Sequence, residues 1–163
     1  MMKMRYTIIA LSSFILASAS VTASYKPNFS GKWVLDKDRS FSNPAGLDQT
    51  MTVTHTGDQV KMEAHLKTAR GEFDVNETYT LDGKETDFTP QNPPNAKGKR
   101  KSSWLPNGLG ILINDEISAE GKIVNQITRK WTLSADGKRL TVDYYIDDQR
   151  FSYESKRVFN KVE

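Results

Sequence analysis

Cysteine is absent from the 163-residue sequence. That one absence removes disulfides, thiolate metal sites, a cysteine nucleophile and a lipidated cysteine anchor. Histidine is nearly absent, with His55 and His65 the only two. They sit on opposite faces of neighbouring alternating segments, and neither has the Asp or Glu spacing of a zinc site, so no metal is expected. No Gly-x-Ser-x-Gly elbow, phosphate-binding glycine loop or dinucleotide fingerprint occurs, and no cofactor is implied. The chain therefore reads as a non-enzyme. The remaining catalytic alternative is a periplasmic enzyme that uses Glu77 and Asp115 as a carboxylate pair.

Long apolar runs are missing as well, with one exception at the start. Lys3 and Arg5 precede an apolar stretch from Tyr6 to Ala17, and Val21-Thr22-Ala23 then places small side chains at an exit. A basic start, a short apolar middle and a small-residue exit describe a secretory signal peptide, 1–23, too short to span a bilayer comfortably. Cleavage after Ala23 is expected, leaving 24–163 as one domain in the periplasm or outside the cell. Two of the 23 basic residues leave with the signal, so 21 face 20 acidic ones. With the charges balanced, the basic pI carries no implication of a nucleic-acid partner.

What the sequence does have is alternation of period two, the mark of half-buried strands. Met51, Val53 and His55 alternate with threonines, and Val60, Met62, Ala64 and Leu66 with polar residues. The pattern resumes at Phe73 to Leu81, Leu109 to Ile117, Ile123 to Leu133, Leu140 to Ile146 and Phe151 to Phe159. Asp82-Gly83, Asn107-Gly108, Glu120-Gly121 and Asp136-Gly137 offer the positive-φ pairs of tight hairpins. The only long irregular stretch runs from Thr89 to Gly98, and the basic residues Lys97 to Lys101 beside it read as a solvated loop. The expected fold is all-β: a single up-and-down antiparallel barrel of about 8–10 strands, closed to remove its edges, with a sandwich as the rival.

The first mature strand opens Asn28-Phe29-Ser30-Gly31-Lys32-Trp33, and the last closes Arg157-Val158-Phe159-Asn160-Lys161. Both resemble the calycins, the lipocalins and fatty-acid-binding proteins. Ser30-Gly31-Lys32-Trp33-Val34-Leu35-Asp36 and the hairpin Trp131 to Leu140 (WTLSADGKRL) are similar to small secreted bacterial lipocalin-like domains. The resemblance implies that Gly31, Trp33 and Arg157 close one end of the barrel, with the guanidinium stacked on the indole. Fatty-acid-binding proteins hold a carboxylate with Arg-x-Tyr on the final strand. Here Phe159 stands where the tyrosine would be, and the helical lid after the first strand is missing. The resemblance therefore does not imply a long-chain fatty acid.

Three ions interrupt the apolar faces: Glu77 between Val75 and Tyr79, Asp115 between Ile113 and Ile117, and Arg129 between Ile127 and Trp131. Unpaired inside a barrel, each would cost several kcal/mol. Either they neutralise one another in a network, or they anchor the head group of a ligand lined by Tyr79, Trp131, Tyr144 and Tyr153. Among the ions, Arg129 is the residue expected to meet an acidic head group. Two functions stay open at this point. One is a carrier for a small hydrophobic or amphipathic, possibly anionic, molecule. The other is a scaffold whose barrel is filled and whose loops meet a partner.

Overall fold

A computed structural model describes residues 26–162. The expected signal peptide, 1–23, lies outside the described residues. Ten antiparallel strands form one sheet: β1 (Gly31–Phe41), β2 (Asp48–Thr56), β3 (Gln59–Thr68), β4 (Gly71–Thr80), β5 (Asp82–Phe88), β6 (Lys97–Trp104), β7 (Gly110–Ala119), β8 (Lys122–Leu133), β9 (Arg139–Asp148) and β10 (Ser152–Val162). Their order, β4-β3-β2-β1-β10-β9-β8-β7-β6-β5, is that of an up-and-down barrel joined at its first and last strands. There is no helix among the described residues, so none crosses a membrane as a helix. The β1–β2 link is a short turn at Ala45-Gly46, and no helical lid is inserted there.

The expected all-β barrel is what forms, with two departures. Gly83 takes the positive φ of 73° that its Asp-Gly pair suggests, yet β4 and β5 share no backbone ladder. Leu81 N–H instead donates to Asp58 O in the β2–β3 turn at 2.7 Å, and β5 leaves to pair with β6. The barrel is nearly closed, with a seam between β4 and β5. The other glycine turns behave as hairpins, and Glu120 and Gly121 both have positive φ (51° and 76°).

The second departure concerns the basic run. Lys97 to Lys101 is not a solvated loop but the first part of β6. Lys97, Lys99 and Lys101 face out, while Gly98, Arg100 and Ser102 face in. Charge density suggested a loop; the period-two geometry of the strand divided the run between two faces.

The barrel has a packed end and an open end. At the packed end Trp33, Tyr79, Val60, Ile111, Ile113, Trp131, Leu140, Val142 and Phe159 are buried in one cluster, and Phe29 from the N-terminal segment plugs it. The Trp33 indole N–H donates to Phe29 O at 3.1 Å. His55 Nδ1 accepts from Phe29 N–H (3.3 Å), while Nε2 lies 3.1 Å from Gly57 O. The His55 ring lies 5.6 Å from Phe29 and 5.5 Å from Trp104.

Candidate ligand-binding chamber

Sequence parity turned Glu77, Asp115 and Arg129 inward, and the register brings them to one level with a fourth group, Arg100. Arg100 pairs across the ladder with Asp115, which lies beside Ile127, one inward step from Arg129. Arg100 Nε donates to Asp115 Oδ1 (2.7 Å), and its NH2 reaches Asp115 Oδ2 and Glu77 Oε1, both at 2.8 Å. Arg129 NH1 donates to Glu77 Oε2 at 2.7 Å, and its NH2 to Asp115 Oδ2. The Tyr79 hydroxyl donates to Glu77 and accepts from Arg129 NH1 at 3.2 Å. Two cations and two anions thus neutralise one another, and every carboxylate oxygen is bonded.

Burial alone would raise the Glu77 carboxyl. The Arg129 and Arg100 guanidiniums beside it, with hydrogen bonds from Tyr79 and Arg100, overcome this and hold it at about 2. The Tyr79 hydroxyl is pushed well up, chiefly by burial. Arg100 lies over two rings, 4.9 Å from Tyr79 and 4.4 Å from Phe88. Phe88 reaches it because Gly98 has no side chain: a Cβ there would meet the ring at 2.4 Å. The network also spans the seam, since Glu77 on β4 is tied to Arg100 on β6 and Arg129 on β8 where the backbone ladder fails.

Above these four charges lies a chamber of about 600 Å³, bordered by Thr89 to Asn92 of the β5–β6 link. Val75, Ile117, Ile127, Ile146, Phe88 and Tyr144 supply its apolar wall, and the ionic layer is its floor. Arg157 completes the wall. Its Nε donates to Asn43 Oδ1 (3.1 Å) and its NH1 to Gln49 Oε1 (3.0 Å), and its guanidinium sits 4.7 Å from the Tyr144 ring centre. These partners are all neutral. With the floor self-neutralised, the charged lining carries one net positive charge, on Arg157.

The expected site residues therefore separate. Glu77, Asp115, Arg129 and Tyr144 line the chamber, the first three as its floor. Arg129 does not stand ready for a head group, because both of its terminal nitrogens are taken by carboxylates. Tyr79 and Trp131 lie below the floor, packed edge to face at 5.8 Å. Tyr153 faces the rim, 41% exposed, its ring tilted against Phe151 at 5.7 Å. Arg157 is not over Trp33. Register pairs Trp33 with Lys161, whose Nζ lies 5.3 Å from the indole, and puts Arg157 beside Val142. Arg157 does face inward, but its height along the barrel depends on register, which the motif does not reveal. Gly31 does lie beside this lid: its φ is +151°, and a Cβ would meet Lys161 Cε at 2.5 Å. Arg100 was the residue missed, and the alternation Gly98-Arg100-Ser102-Trp104 was the signal for it.

The barrel has solved counterparts. Caenorhabditis elegans lipid binding protein 8 superposes with a TM-score of 0.58 at 13% identity, over 82% of this chain and 95% of that one. A Schistosoma mansoni fatty acid binding protein in complex with arachidonic acid gives 0.56 at 14%, over 85% and 98%. Secretory abundant heat soluble protein 4 from Ramazzottius varieornatus gives 0.56 at 11%, over 86% and 98%. The fold shared with these structures is the up-and-down antiparallel β-barrel. At such identities the likeness is one of fold alone. No family model matches the sequence, and no curated protein does. Among the described residues no cluster of three metal-ligating side chains occurs.

Proposed function

We propose that this chain is an exported carrier that holds a small amphipathic anion in the chamber, apolar body against the isoleucines and acidic end on Arg157. One observation carries the reading: an open apolar space of about 600 Å³ whose wall holds a single uncompensated cation. A planar guanidinium facing only neutral partners keeps its charge available to a carboxylate or similar oxyanion. That the Schistosoma protein of the same fold is solved with arachidonic acid supports a lipid-like body. Export rests on the signal-peptide pattern of the first residues, and periplasmic or secreted localisation follows from it.

Thermal melts with paired hydrophobic acids and the corresponding neutral alcohols test the reading. Acids should raise the melting temperature more than their alcohols do. Arg157→Met should weaken acid binding by about 1.5–3 kcal/mol, the worth of a hydrogen bond to a charged group, and leave alcohol binding unchanged. If no compound stabilises the wild type, the barrel is a scaffold that meets its partner through loops. Mass spectrometry of the exported protein should find a chain beginning near Ser24; retention of residues 1–23 would overturn the localisation.

A further inference from the structure

We infer that the ionic floor sets ligand size: the chamber takes a compact anion, of short chain or fused-ring body, and excludes the tail of an extended long-chain acid from the interior. This rests on the carrier reading above and adds a limit to it.

Apart from Thr78, which borders it from the exposed face of β4 at the seam, the chamber draws its lining from the floor upward. Tyr79, Ile113, Trp131 and Val142, the inward residues next below, are fully buried and contribute nothing to its wall. A tail could pass the floor only by parting Glu77, Arg100, Asp115 and Arg129, whose carboxylate oxygens are all bonded in a nearly dry layer. Such ions without partners would each face a desolvation penalty of several kcal/mol, far more than a few buried methylenes recover. The space above is shallow. β7 ends at Ala119, four residues beyond Asp115. At roughly 3.3 Å per residue that is about 13 Å along the strand, and roughly 10 Å of depth once strand tilt is included.

The experiment needs only the wild-type protein. Saturated acids from hexanoate to hexadecanoate, together with naphthoate, are titrated by calorimetry. Affinity should rise about fourfold per methylene while the chain lengthens inside the chamber, then flatten between octanoate and decanoate. Naphthoate should bind at least as tightly as hexadecanoate. A positional readout accompanies it. All three tryptophans, Trp33, Trp104 and Trp131, belong to the packed end. Long acids brominated at the terminal carbon, a contact quencher of indole, should therefore leave tryptophan fluorescence unchanged.

A slope that continues to hexadecanoate, or bromine quenching of the indoles, would overturn the size limit and leave the carrier intact. Failure of every acid and of naphthoate to bind would bring down the carrier reading itself, and the limit with it.

Discussion

Below the ionic floor the inward residues are Trp33, Tyr79, Trp131, Ile111, Leu140 and Phe159, none more than 2% exposed. Above it the same sheet turns Ile117, Ile127 and Ile146 toward an open space and leaves Phe73, Phe151 and Tyr153 at least 41% exposed. The strands run continuously through both regions, so the difference is not one of secondary structure. It lies in side-chain volume and in what plugs each end. Phe29 and the Trp33–Lys161 pair seal the lower end, whereas only the irregular Thr89–Asn92 stretch lies against the upper chamber. Packing that fills space contributes stability, and space left unfilled is where a second molecule can contribute instead.

Substitution should make that division visible. Trp33→Ala at the packed end should cost about 3–5 kcal/mol in chemical denaturation, as other buried aromatics do. Ile127→Ala in the chamber wall removes atoms that already border a cavity and should cost well under half as much. Equal losses at both positions would mean that the two ends are packed alike.

The floor comes next in size. Arg129→Met leaves the buried carboxylates of Glu77 and Asp115 short of a partner, and about 3 kcal/mol of stability should go with it. Acid affinity should fall as well, because the floor then keeps one uncompensated carboxylate facing the chamber, while binding of the neutral alcohols should change little. Acid should also find this weakness. The native Glu77 carboxyl is held at about 2, below its ordinary 4.5, so its contribution is complete above pH 4.5 and is lost as pH falls toward 2. Urea midpoints measured from pH 6 to pH 2 should fall less steeply in Glu77→Gln, which has already lost that contribution.

The smallest effect belongs to His55. Burial lowers its pKa, partly opposed by the Gly57 carbonyl and Asp58. Asp58 and Lys26 are the charged groups around it, and Trp104 and Phe29 are the rings. Neutral His55 accepts from Phe29 N–H; a proton on Nδ1 would set two donors against each other. The unfolded chain binds this proton more readily than the native one, so stability should decline as pH falls below about 6.5, the ordinary histidine value. His55→Gln should flatten that decline. A wild type whose stability is level from pH 7 to pH 5 would show that the Phe29 plug does not depend on the imidazole.

Much of this architecture was legible in advance, for a definite reason. Alternation reports which face a residue occupies, and it places Glu77, Asp115 and Arg129 inside, while the family resemblance places Trp33 and Arg157 there. Alternation is silent about height. Whether Arg157 or Lys161 covers Trp33 depends on the β1–β10 register, a property of two segments at opposite ends of the chain. Arg100 was obscured differently. Four neighbouring cations suggested solvent, although Ser102 and Trp104 continued the inward series. The seam was hidden by an Asp-Gly pair that bends the chain as expected without pairing its flanks.

That seam changes how the ring is tied. Every ladder but one joins strands that follow each other in the chain, so each is closed by a local connection at little entropic cost, the longest being residues 89–96 between β5 and β6. The exception is β1 with β10, which brings the two ends of the described chain together. Since β4 and β5 do not close the ring from the other side by backbone bonding, β1–β10 is the only ladder linking the first four strands to the last six. The molecule is in effect two meanders hinged at residues 80–82, bolted along one ladder and clasped at the opposite side by the Glu77 carboxylate.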